Sequence, residues 1–213
     1  VSMGPEDASD ALVRCLALGA DSAYLLSDPL LENADVTVTA RALAALISLL
    51  AEEEAIDLVL CGMAASDAMT SMLPAALAAV MNVPLVSQVR ELTVDPDSGH
   101  VQALRSVDGV DETLRAPLPA VISVTDQLNE PRFPGFKDLK AARMKPLVQA
   151  ELDDVAGYDP TGCLSELVSG ARSEMPLGVV SMTEHNRGGS GEVFTDTGDG
   201  GTRLAEFIEE KMK

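Results

Sequence analysis

The sequence predicts an α/β protein built on a doubly wound parallel sheet, with an inserted hairpin and a C-terminal arm. Three observations carry that expectation. Up to Ser87, short apolar runs alternate with helical patterns, the order of a parallel sheet with crossover helices. Ile56–Cys61 (IDLVLC) is an apolar run closed by Gly62, which suits a strand buried on both faces. After Ser87 the pattern changes to alternating strands, Gln88–Val94 and Val101–Val107, about the turn DPDSGH.

In chain order, Val1–Gly4 reads as the tail of a strand, and the following loop and helix stop at Gly19. Ser22–Leu26 is a short strand, Asp28–Asp35 an acidic loop, and Val38–Ala51 a helix whose apolar residues include Ala42, Leu43, Leu46 and Ile47. The central strand Ile56–Cys61 is followed by a loop, Met63–Thr70, and an Ala/Leu/Met-rich helix to Met81 with Pro74 in its first turn. Asn82 ends that helix. Asp111–Leu118 is extended and Pro119–Thr125 is a buried strand. Gln127–Leu147 is an exposed loop with a short helix. Beyond Glu151 periodicity fades, a short strand is expected at Val179–Met182, and Thr202–Met212 is amphipathic. A loose arm of this kind buries little against its own core and suits wrapping another subunit.

Composition excludes several classes. A net charge of −19 argues against nucleic acid, which needs clustered cations, and against anionic membranes. No apolar run approaches the length of a membrane span. Cys15, Cys61 and Cys163 lie far apart beside two histidines, so no zinc pattern exists and a reducing, cytoplasmic setting is expected. No Ser/His/Asp set or placed carboxylate pair is visible.

Two stretches hold candidate sites. The loop after Ile56–Cys61 and the helix start behind it form an anion site of free N–H groups, with Ser66, Asp67, Thr70 and Ser71 as capping residues or ligands. Within Arg132–Lys145 fall five of the fifteen Lys and Arg residues, beside Phe133 and Phe136. Either this is a solvated helix face over two buried Phe, or it is a docking surface with an apolar anchor and steering cations.

The segments VDGVDETLRAPLPAVISV and NEPRFPGFKDLKAA, with DLVLCGMAASD and the TDTGDGGTRLAEFI end, closely resemble the β subunit of electron transfer flavoprotein. The resemblance spans nearly the whole chain. It implies an adenine-nucleotide α-hydrolase-like fold and about fifty residues absent ahead of Val1, including the first strand of the family's sheet. It implies a heterodimer whose α subunit holds most of the FAD, an electron supply from acyl-CoA dehydrogenases, and delivery to a membrane quinone oxidoreductase. AMP would sit at Met3, Ala64, Ala65, Ser66, Asp67, Ala68, Met69, Thr70, Ser71 and Met72. Met72 and Leu73 depart from the family's polar residues there and weaken that expectation. Partner recognition, within Val124–Pro146, would fall to Asn129, Glu130, Pro131, Arg132, Phe133, Phe136, Leu139 and Lys140, Phe136 standing where the family has a Leu anchor. The implied organisation is a nucleotide-binding domain over 1–150 and an arm over 151–213 whose terminal helix packs on the α subunit. Two rivals are a stand-alone universal-stress-type nucleotide-binding protein and a diverged, truncated paralogue without electron transfer.

Overall fold

The computed structural model describes residues 1–65, 71–171, 181, 183 and 195–211, in two units, Val1–Gly178 and Val179–Lys213. The strand expected at Val179–Met182 lies outside the described residues, Ser181 excepted. In the first unit, β1 (Ser2–Met3), α1 (Ser9–Leu18), β2 (Ala23–Leu26), α2 (Val36–Leu50), β3 (Leu58–Cys61) and α3 (Leu73–Met81) follow the expected alternation. Then come β4 (Leu85–Asp95), β5 (His100–Val107), β6 (Val110–Pro117), β7 (Ala120–Val124), α4 (Phe136–Ala142), β8 (Leu147–Ala150), α5 (Leu152–Ala156) and α6 (Cys163–Val168). The second unit contributes α7 (Gly200–Lys211).

The chain is α/β with parallel strands, but the single expected sheet is two. One sheet is β1-β2-β8, all parallel; the other is β3-β7-β4-β5-β6, parallel through β3, β7 and the start of β4 and antiparallel from there on. Among the described residues no strand bonds to the outer edge of β1 or of β3. Consequently β3 is not buried on both faces: Val59 and Cys61 pack beside α2 and α3, whereas Leu60 is 54% exposed on the other face.

Alternation along β2 sorts the layers. Ala23 and Leu25 pack with Leu12, Leu16 and Ala142, so α1 and α4 cover one face. Tyr24 and Leu26 pack with α2, α5 and α6 on the other. Helix ends obey local chemistry. Asp35 caps α2 by accepting from the N–H groups of Thr37 (2.7 Å) and Val38 (3.0 Å), and Asn82 closes α3 in the left-handed region.

Two differences from expectation have local causes. The apolar run after Pro84 and the hairpin strand are one strand, β4, broken by a bulge between Val86 and Val89. Gln88 there has φ 59°, and its N–H donates to the buried Ser123 hydroxyl at 3.1 Å. The segment after Glu151 does bury: Leu152, Val155 and Leu164 are wholly enclosed. Asp159 organises that turn by accepting from the Leu164 N–H (3.1 Å) and the Thr161 hydroxyl (2.9 Å), while Arg41 of α2 donates to Asp159 and to the Thr161 hydroxyl.

Burial alone would push the Asp159 carboxyl up, but these hydrogen bonds, with Arg41 beside them, hold it below its ordinary value of 3.8. A depressed carboxyl stabilises the fold above the unfolded value, and that contribution is lost as pH falls through the folded value. Asp159→Asn should therefore lower stability by about 1–3 kcal/mol at neutral pH. Melts taken downward in pH should show the gap between variant and parent closing below pH 3.8.

Candidate functional site

The first candidate site lies where β1 and β3 finish. Met3 closes β1 and packs against the Val59–Cys61 cluster, and the Gly4 N–H donates to the Leu26 carbonyl at 3.1 Å. Gly62 ends β3, and Ala64, Ala65 and Ser71 share a cavity of about 260 Å³ with Val1, Val59 and Leu77. Ser71 holds φ 52°, and α3 opens at Met72 with no side-chain cap and with Pro74 in its first turn. Among the described residues no side-chain hydroxyl or carboxylate caps the first N–H groups of α3. Most of the wall is apolar, which suits a flat base better than a charged group. Met72, just ahead of α3, is 57% exposed. Ser66, Asp67, Ala68, Met69 and Thr70 lie outside the described residues.

The second site is the crossover from β7 to β8. It is secured at its start by the Thr125 N–H on the Val89 carbonyl (2.9 Å) and by Leu128 against the lower core. Asn129, Glu130 and Pro131 are exposed. Phe133 and Phe136 stand out at 98% and 84% exposure, with Leu139 at 40%. Neither aromatic is buried beneath a helix face, so of the two sequence readings the solvated-face one loses its packed Phe. α4 turns Asp138 and the buried Ala142 toward the body, leaving Phe136, Lys137, Lys140 and Arg143 outward.

Met144, at 87% exposure, extends that outer face and was not singled out from sequence. The four-residue spacing Phe136–Lys140–Met144 was the available signal. Arg132 differs from the outward cations. Its guanidinium pairs with Asp138 at 2.7 Å and donates to the Ala17 carbonyl at 2.9 Å. Asp138 also accepts from the Gly135 N–H at 3.0 Å; the arginine first and this N–H second draw its carboxyl below the ordinary range.

The sequence that builds this α/β body matches a known family. An electron transfer flavoprotein domain model matches residues 1–155. The β subunit of electron transfer flavoprotein from Mycobacterium leprae is 32% identical over 209 residues, covering 98% of this chain and 73% of that protein. The chain belongs to the electron transfer flavoprotein β-subunit family. The β subunit from Megasphaera elsdenii is 36% identical over 162 residues, 75% of this chain and 59% of that one. Protein FixA of Azotobacter vinelandii is 34% identical over 145 residues, 67% of this chain and 52% of that one. Membership supports an electron-transfer role. Among the described residues no helix is long and apolar enough to cross a membrane, and no group of three or more potential ligands is placed to hold a metal.

The cysteines report on both faces of this geometry. Cys15 is exposed, Cys163 is buried, and burial pushes the Cys61 thiol up from 9.0. Timed iodoacetamide labelling of the native protein at pH 8 should modify Cys15 first and Cys61 slowly, with Cys163 spared until unfolding. Peptide mass spectrometry reads the order, and early labelling of Cys61 would contradict the placement of β3.

Proposed function

We propose that the chain is the β subunit of a heterodimeric, FAD-containing electron carrier. In this reading it takes electrons from acyl-CoA dehydrogenases and related flavoenzymes and passes them to a membrane quinone oxidoreductase. An α subunit carries most of the FAD site. The nucleotide-binding body carries the recognition loop 124–146 and extends through the buried α5 and α6, and the remaining arm ends in a helix that packs on the α subunit. The setting is the cytoplasm.

The observation that supports docking is the lip itself. Two Phe side chains stay in water beside Lys137, Lys140 and Arg143 on a protein of net charge −19. Solvent-exposed aromatics rimmed by charge are typical anchors of protein contacts, and the local cations favour an acidic partner. FAD, when bound, supplies the redox chemistry, and the protein supplies position and electrostatics. This chain's own residues provide the scaffold, the docking anchor and an AMP site of structural purpose. AMP fits the described residues in part: backbone N–H groups of α3 for the phosphate, with Val59 and Leu77 as apolar wall. Met72 and Leu73 bring no side-chain donor, so the backbone, Thr70 and Ser71 would hold it.

Two outcomes test the reading. Phe136→Ala should lower the second-order rate of reduction by an acyl-CoA dehydrogenase about tenfold while the flavin spectrum is unchanged; an equal rate removes the anchor. Acid or heat release from the purified heterodimer should yield about one AMP per complex by chromatography. A fully assembled, nucleotide-free complex would refute the AMP assignment.

A further inference from the structure

The five cations of the lip divide into two kinds. Arg132 and Lys145, at its two ends, both reach back to the body, although the Arg132 side chain stays 53% exposed. The Arg132 guanidinium donates to the carbonyls of Ala17 (2.9 Å) and Leu18 (3.3 Å), and the Lys145 ammonium donates to those of Leu16 (3.1 Å) and Ala20 (2.6 Å). These four carbonyls close α1, which has no basic residue in its own last turn and stops at Gly19 with φ 137°. The partial negative charge of a helix C-terminus thus meets two cations from more than a hundred residues away in sequence. Between them the loop is closed a second time by Arg132 on Asp138 and by Asp138 on the Gly135 N–H. Lys137, Lys140 and Arg143 are all exposed, and among the described residues they make no ion pair.

We propose that Arg132 and Lys145 are positioning residues that fasten both ends of the lip to the carbonyl end of α1, so that Phe133, Phe136 and Met144 are held out as a preformed platform. The contact charges toward an acidic flavoprotein partner are then Lys137, Lys140 and Arg143 alone. The inference rests on the docking reading above and adds a division of labour that exposure alone does not give. Preformation matters because free aromatic side chains on a slack loop would fold back onto apolar surface, and ordering them at each encounter would cost binding free energy. The cost of losing the fastening should appear in capture of the partner rather than in the electron-transfer event.

The test uses the flavin-loaded heterodimer, with an acyl-CoA dehydrogenase reduced by its own substrate as donor. Arg132→Gln combined with Lys145→Met should raise the half-saturating donor concentration about tenfold, with the saturating rate within about twofold of the parent. The dependence of the second-order rate on ionic strength should keep its slope in this variant. It should flatten in a Lys137→Ala, Lys140→Ala, Arg143→Ala variant, because only that one removes charge facing the partner. Trypsin should cleave after Lys137 and Lys140 faster in the double variant than in the parent, a readout that needs no donor. The swapped pair Arg132→Lys with Lys145→Arg, which keeps both donors, should restore capture and protection and controls for misfolding. Unaltered half-saturation, unaltered cleavage, or a flattened salt slope in the double variant would each overturn the proposal. If instead the parent and Phe136→Ala accept electrons equally while the cleavage difference persists, the docking reading fails and the fastening is structural only.

Discussion

A crossover that leaves β7 in one sheet must re-enter as β8 at the far edge of another, and the carbonyl end of α1 is where it is tied. Four hydrogen bonds from two cations to Leu16, Ala17, Leu18 and Ala20 make that tie. The rest of the lip follows from it. Burying a Phe would stabilise the chain by about 1.5–3 kcal/mol, so two Phe left in water need a frame that keeps them from collapsing. The Arg132–Asp138–Gly135 link and the packing of Ala142 between α1 and the sheet supply that frame.

Charge scarcity sharpens the point. The chain has fifteen Lys and Arg against thirty-four Asp and Glu, and a third of the cations sit in one short segment. Concentrating them there sets a local potential opposite to that of the body. In the proposed docking reading, such a potential orients an acidic partner on approach, while affinity comes from the apolar anchor at its centre. Elsewhere the cations hold the architecture together. Arg41 meets Asp159 across α2 and the α5–α6 turn, and Arg90 and Arg105 pair with Asp111 and Glu112 across the hairpin strands.

Much of this was legible from residue patterns, and the failures were physical in kind. The alternation up to Ser87, the stop at Asn82, and the hairpin follow from period and turn chemistry, which are local. The bulge at Gln88 was hidden because a non-glycine residue at φ 59° carries no composition signal. The burial of Leu152–Leu167 was hidden because its helices are too short to show a period. Arg132 and Lys145 look like the other lip cations in sequence; only the distant carbonyls they reach set them apart. The exposure of Leu60 was equally unreadable, since it depends on what pairs beside β3 rather than on β3 itself. Loop chemistry and the clustering of cations with Phe singled out both candidate stretches in the sequence, and the family resemblance gave each an expected ligand or partner.

The central claim is that a donor flavoprotein lands on the outward side of α4. Hydrogen exchange of the heterodimer, with and without a reduced acyl-CoA dehydrogenase, tests it most directly. The account predicts new protection concentrated in Phe133–Met144, with the β4–β5 hairpin unchanged. Protection appearing on that hairpin instead, with Phe133–Met144 exchanging as before, would contradict it.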